Sequence, residues 1–183
     1  MINGLPAHVL VVHAVVVLVP LAALVTVLAA VWPAARRRLG IVTPLLALVA
    51  VAFVPLATQA GEWLEEHVPE SPLVEQHARY GDGVLGWALG LLAVACGVWL
   101  VGALADRRRA STAARDDAAP SVSAAGPSTP SWVAAPWARA LVAVVTVAVA
   151  AGATLAVYRA GDSGARAAWQ DQVTSTGNGG GDD

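Results

Sequence analysis

The chain has 183 residues, of which 57% are hydrophobic and 13% charged, and its mean hydropathy is +0.63. A water-soluble domain carries roughly 25% charged residues, so this composition excludes an ordinary soluble protein. The net charge of −2 provides no basic field for a nucleic-acid partner, and the single Cys96 excludes an intramolecular disulfide and a cysteine-based metal or iron–sulfur site.

Four apolar blocks follow one another along the chain, at residues 9–32, 39–60, 84–105 and 138–158. A helix of about 20 apolar residues crosses the hydrocarbon core of a bilayer, and each block reaches that length without the polar stripe of a soluble core helix. We therefore predict an all-α polytopic membrane protein with four transmembrane helices. The first block has no positively charged residue before it, which favours a retained helix over a cleaved signal peptide.

The blocks divide the chain into a core, a linker, a fourth span and a tail. Residues 1–105 are predicted to form a three-span membrane core, with a helical hairpin at 61–83 on its outer face. Residues 106–136 are rich in Pro, Ser and Ala and are predicted to be a disordered cytoplasmic linker that tethers the fourth span, 137–158. Residues 159–183 are predicted to be a disordered extracytoplasmic tail.

The arginines predict the orientation of the spans. Eight of them lie in or beside the first and third connections, and three lie on the other side of the predicted membrane. Because arginine accumulates in cytoplasmic loops, both termini are expected outside. The eight are Arg36, Arg37, Arg38, Arg107, Arg108, Arg109, Arg115 and Arg139; the three are Arg79, Arg159 and Arg166.

Small residues indicate where helices approach each other. Gly86 and Gly90 form a GxxxG motif in the third block, and Ala148, Gly152 and Ala156 form a stripe in the fourth. Such residues let helix backbones pack closely in lipid, and packing within the bundle is the simpler explanation than a dedicated dimer interface.

Polar residues concentrate at the outer ends of the first three spans, where all four histidines lie. His13 sits about one turn inside a span, and an ionisable side chain at that depth is a candidate functional residue. It could handle protons or ligate a metal; it could equally be a neutral histidine that hydrogen-bonds to Thr58, Gln59 or a backbone carbonyl. His8 lies about 140° round the helix from His13, so the two do not share one face.

His77 approaches the third span and would lie near Glu62 and Glu66 if residues 61–83 form an antiparallel hairpin. A histidine beside carboxylates is a candidate metal site, although solvated loop and helix residues would give the same pattern. Two ligand sets follow. Haem b would use His8, His13 or His77, with His8 and His77 best matched in depth, and a divalent metal would use His8, His13, Glu62, Glu66 and His77.

Two segments, residues 5–13 and 58–63, together with His77, resemble a bacterial membrane family catalogued as domain of unknown function 2231. The resemblance covers about residues 4–105, with the fourth span as an addition. It implies a plasma-membrane protein with members common in actinobacteria. Some relatives resemble fusions to Rieske-type iron–sulfur domains, which implies a redox neighbourhood and a redox partner protein.

No catalytic triad, phosphate-binding loop, HExxH or CxxC motif is present, so the sequence does not favour an enzyme. Three hypotheses remain open. The first is a non-catalytic membrane subunit or scaffold with an outer polar cluster, embedded in the lipid bilayer. The second is an electron-transfer or redox-sensing protein that holds haem b or a metal near its outer face. The third, a small transporter, lacks repeats and midplane charges.

Overall fold

The computed structural model describes residues 7–65, 71–116 and 136–177, with side chains at 10–65, 71–113 and 136–169. These residues form five helices: α1 (Ala7–Val31), α2 (Pro33–Leu39), α3 (Val42–Glu65), α4 (Pro72–Asp116) and α5 (Pro136–Gly177). Four of them are long and apolar enough to cross a membrane, over Leu10–Val31, Val42–Glu65, Pro72–Ala113 and Pro136–Trp169. The predicted all-α class and the four spans are confirmed.

The four long helices form a closed ring, in which α1 packs against α3, α3 against α4, α4 against α5 and α5 against α1. Helices α4 and α5 run antiparallel, because residue numbers fall along α4 as they rise along α5 in the facing pairs. Those pairs are Gly90 with Val149, Trp87 with Gly152 and His77 with Gly164. Helices α1, α3 and α4 are joined by short connections, which reverse the chain direction each time.

One core lies between these helices, and it consists of eight alanines, five valines and Leu91. All four long helices contribute to it, including α5 through Ala150, Ala153 and Val157. Small side chains let backbones approach closely, which is how helices associate in lipid. Most of the larger leucine side chains lie instead on the outer faces, where Leu24 is 56% and Leu141 is 55% exposed. An apolar exterior of this kind suits a hydrocarbon solvent.

Most threonine hydroxyls within the spans are satisfied within their own helix, whereas the buried Oγ1 of Thr43 has no hydrogen-bond partner among the described residues. The hydroxyls of Thr26, Thr146 and Thr154 each donate to the carbonyl oxygen four residues earlier, at 2.7, 2.7 and 2.8 Å. Pro20 and Pro55 lie inside α1 and α3, whose helices continue through them. Transmembrane helices tolerate such prolines because their neighbours support the backbone.

A short helix, α2, turns the chain between α1 and α3. Pro33 begins it directly after Trp32, and Gly40 ends it with a φ of +47°. The Gly40 amide donates to the Arg36 carbonyl oxygen at 2.9 Å, which closes the helix. Glycine suits this position because a side chain would be strained at a positive φ.

Two helices extend beyond the predicted spans. Helix α4 continues to Asp116, into the segment predicted as a linker, and α5 continues to Gly177, into the segment predicted as a tail. Both continuations are rich in alanine and arginine or glutamine, which favour helix even when the segment is polar. The rest of the predicted linker, residues 117–135, and the end of the predicted tail, 178–183, lie outside the described residues.

Gly152 provides the most sensitive test of this packing. A Cβ at this position would overlap the Trp87 indole ring, whereas a Cβ on Gly161 of the same helix meets open space. We expect Gly152→Ala to lower the free energy of unfolding in detergent by about 1–3 kcal/mol, the usual cost of overpacking. Gly161→Ala should leave stability unchanged or raise it slightly. Equal stability of the two variants, measured by thermal unfolding, would contradict the observed helix contact.

Candidate functional site

The predicted polar cluster lies at the end of the bundle where α1 begins, α3 ends, α4 begins and α5 ends. Antiparallel neighbours bring these four helix ends together. We refer to residues 10–13, 58–65, 71–83 and 159–169 as the polar end. Its described side chains include His13, Glu62 and His77. The side chain of His8 and all of Glu66, which belong to the predicted ligand set, lie outside the described residues.

His77 is the histidine whose partners are best defined. Its Nδ1 atom lies 3.0 Å from the carbonyl oxygen of Ala160 and 3.2 Å from Oγ of Ser163, both on α5. A carbonyl oxygen can only accept, so Nδ1 carries a hydrogen and donates it. The Ser163 hydroxyl also donates to the Ala160 oxygen, at 2.9 Å. His77 therefore links the first two turns of α4 to the part of α5 just beyond its apolar block.

Gly164 makes room for this contact. A Cβ at Gly164 would lie 2.8 Å from Cε1 and 3.1 Å from Nδ1 of the His77 ring. Ser163, next in the chain, is 4% exposed and is thus enclosed by the two helices. A side chain at position 164 would have to displace the His77 ring, so the glycine permits this close contact. We refer to His77, Ala160, Ser163 and Gly164 as the interhelical brace, or simply the brace.

The other predicted site residues lie elsewhere on the polar end. His13 is exposed on α1, and Glu62 is exposed on α3. Within the part of the chain that the structure describes, no three His, Cys, Asp or Glu side chains come together as a metal site. Helix α1 lies across the bundle from α4, and His77 contacts Ser163 on α5. The predicted haem and metal ligand sets stay predictions.

The outer surface of the polar end holds two adjoining shallow depressions. One, of about 280 Å³, lies along the first turns of α4; the other, of about 150 Å³, lies between α4 and α5. Their linings share Gln76 and Tyr80. Two exposed ion pairs run along the helices beside them, Arg79 with Glu75 and Arg166 with Asp162, each at 2.7 Å. Exposed pairs of this kind contribute little to stability.

The α5 half of the brace is not among the site residues predicted from the sequence. Its signal was the stripe of small residues in the fourth span, which continues beyond Ala156 at the same four-residue spacing to Ala160 and Gly164. This continuation of the stripe predicts that α5 approaches a neighbouring helix closely beyond the apolar block, and in the structure that helix is α4. The missed residues are Ala160, Ser163 and Gly164.

These features define the class as a polytopic helical membrane protein whose four spans share one core. The chain belongs to the family DUF2231, described as a predicted membrane protein, whose sequence profile matches residues 4–177. This match includes the fourth span, so the expectation that the fourth span is an addition to the family is wrong. Neither curated proteins nor solved structures gave a match to the chain.

A double-mutant cycle tests the brace. His77→Ala and Ser163→Ala should each destabilise the protein, and the pair should show a coupling energy of about 0.5–1.5 kcal/mol, the usual net value of a hydrogen bond. The matched control is the exposed pair Glu75 and Arg79, whose alanine cycle should give a coupling of about 0.5 kcal/mol or less. If the His77 cycle gave no larger coupling than the control, the brace would be only an incidental contact.

Proposed function

We propose that this protein is a non-catalytic subunit or scaffold of a bacterial plasma membrane, with both termini outside the cytoplasm. The family description and the four apolar helices support membrane insertion. The uneven distribution of arginine between the two ends of the bundle supports the orientation. A scaffold role requires a rigid surface that extends beyond the lipid, and the polar end offers one.

The observation that carries this proposal is the interhelical brace. It joins α4 and α5 just beyond their apolar blocks, which end at Val84 and Tyr158. Beyond the apolar blocks, α4 has residues 72–83, which are about 18 Å of helix at 1.5 Å per residue. Helix α5 has residues 159–177, which are about 28 Å of helix. We refer to these two segments as the α4–α5 extension.

The exposed side of the extension is suited to protein contact rather than to chemistry. Gln76, Tyr80 and Arg159 are exposed there beside the shallow depressions. Aromatic and arginine side chains are enriched at protein interfaces because each supplies both apolar area and hydrogen bonds. Small-molecule pockets are mostly apolar and bury most of their ligand, with volumes of roughly 300–1,000 Å³. The two depressions are half open to solvent and lined by polar as well as apolar atoms, which favours docking of another protein.

Site-specific photocrosslinking in intact cells tests the docking role. A photoreactive phenylalanine derivative would replace Gln76 on α4 or Ala165 on α5, both exposed on the extension. We expect each to form an adduct of defined mass with another protein. The matched control replaces Val144, which is exposed on the apolar part of α5 and should contact lipid. A scaffold role is contradicted if the extension positions form no protein adduct beyond that of the control.

A visible absorption spectrum and a metal analysis distinguish the haem or metal hypothesis from the scaffold hypothesis. Among the described residues no three His, Cys, Asp or Glu side chains come together as a metal site, although the Nδ1–H hydrogen bond of His77 leaves a lone pair on its Nε2 atom. We expect detergent-purified protein to lack a Soret band and stoichiometric metal in both redox states. A Soret band that His77→Ala removes would overturn the scaffold proposal in favour of an electron-transfer or redox-sensing protein with a redox partner.

A further inference from the structure

The opposite end of the bundle carries a strong excess of positive charge. We refer to described residues 32–41, 102–113 and 136–139 as the arginine end. It holds seven arginines and one acid, Asp106, among the described side chains, a net charge of +6. The polar end holds three arginines and five acids, a net charge of −2. The seven arginines are Arg36, Arg37, Arg38, Arg107, Arg108, Arg109 and Arg139.

Most of these guanidinium groups have no anionic partner among the described side chains. Arg109 lies 3.6 Å from Asp106, and the other six form no ion pair with a carboxylate among the described side chains. Positively charged side chains gathered at one end of the bundle repel each other unless anions bind between them. The field therefore favours an anionic ligand from outside the chain.

Arg36 is held in a defined position within this field. Its side chain crosses from α2 to α4 at Gly102, where a Cβ would lie 2.8 Å from Cδ and 2.9 Å from Nε of Arg36. The Nε atom is buried and has no hydrogen-bond partner among the described residues. Gly102 lies within the last turn of the apolar block of α4. Arg36 therefore lies at the level where this predicted membrane span ends.

Apolar surface lies directly beside the charges. Trp32 is 59% exposed and Ile41 54% exposed on either side of α2, and Val101 is 50% exposed on α4. Tryptophan is enriched at the headgroup level of membrane proteins. A free phosphate ion would use only the arginines, whereas a phospholipid would use both the arginines and the neighbouring apolar side chains.

From this arrangement we infer that the arginine end binds anionic phospholipid. Arg36, which lies against α4, and the exposed Arg37 and Arg38 supply the positive charge that attracts the phosphodiester, and the exposed apolar side chains beside α2 contact the acyl chains. Arginine suits phosphate because its planar fork donates two parallel hydrogen bonds. Basic clusters at the ends of transmembrane helices bind acidic headgroups in this way. The inference concerns the end of the bundle opposite the α4–α5 extension and does not depend on a scaffold role.

Lipid titration of the full-length protein tests the inference. Delipidated protein in neutral detergent would be titrated with phosphatidylglycerol, phosphatidylcholine or inorganic phosphate, and bound molecules counted by native mass spectrometry. Wild type should bind phosphatidylglycerol at least about tenfold more tightly than phosphatidylcholine. The triple variant Arg36→Gln/Arg37→Gln/Arg38→Gln should lose on the order of 100-fold in affinity at low salt, since each arginine near a charged headgroup contributes about tenfold or somewhat less.

The matched control removes the same charge from the polar end. Arg79→Gln/Arg159→Gln/Arg166→Gln should retain the affinity of wild type for phosphatidylglycerol, because only the local field at the arginine end matters. The exposed pair Arg37→Gln/Arg38→Gln, with an expected loss on the order of tenfold, serves if the triple variant does not fold. Three results would overturn the inference: equal affinity for the two lipids, equal losses in the two triple variants, or inorganic phosphate binding as tightly as the lipid.

Discussion

The fold depends on how closely two helix backbones can approach each other in a solvent that does not drive apolar surfaces together. Lipid tails are as apolar as leucine, so helices associate through packing contacts and interhelical hydrogen bonds. Helices α4 and α5 achieve this with glycines placed opposite large side chains: Gly90 faces Val149, Gly152 faces Trp87 and Gly164 faces His77. The same principle gives the core its eight alanines, which bring all four spans into one bundle.

This close approach also decides what the candidate site can do. A histidine near the end of a span needs a hydrogen-bond partner, and His77 finds one in the backbone of α5 instead of in a pocket. The brace joins α4 and α5 beyond the apolar blocks, and this joined segment is the basis of the proposed docking role. The opposite end carries a net positive charge beside exposed tryptophan, and this arrangement is the basis of the proposed lipid site. The two ends thus differ in both charge and proposed partner.

The sequence predicted the helical class and the number of spans, because block length and the absence of charge are sufficient for that. It also located the polar end, since the histidines and many acids cluster along the chain. It did not predict the partner of His77. Spacing within one helix cannot reveal which neighbouring helix a side chain faces, and Ser163 and Gly164 lay in a segment that composition alone described as a tail. The ligand set of His8, His13, Glu62, Glu66 and His77 stays a prediction.

The central claim is that the fourth span lies against the third through the glycine positions, and disulfide crosslinking tests it most directly. A Gly90→Cys/Val149→Cys pair in a Cys96→Ser background, with a protease site inserted between residues 120 and 130, would be oxidised in membranes and then cut. A Cβ on Gly90 lies 3.6 Å from Val149 Cγ1, within reach of a disulfide. The two fragments should remain joined, whereas a Gly97→Cys/Val149→Cys control should separate, because a Cβ on Gly97 meets open space. Fragments that separate equally in both proteins would show that α5 does not pack where the structure has it.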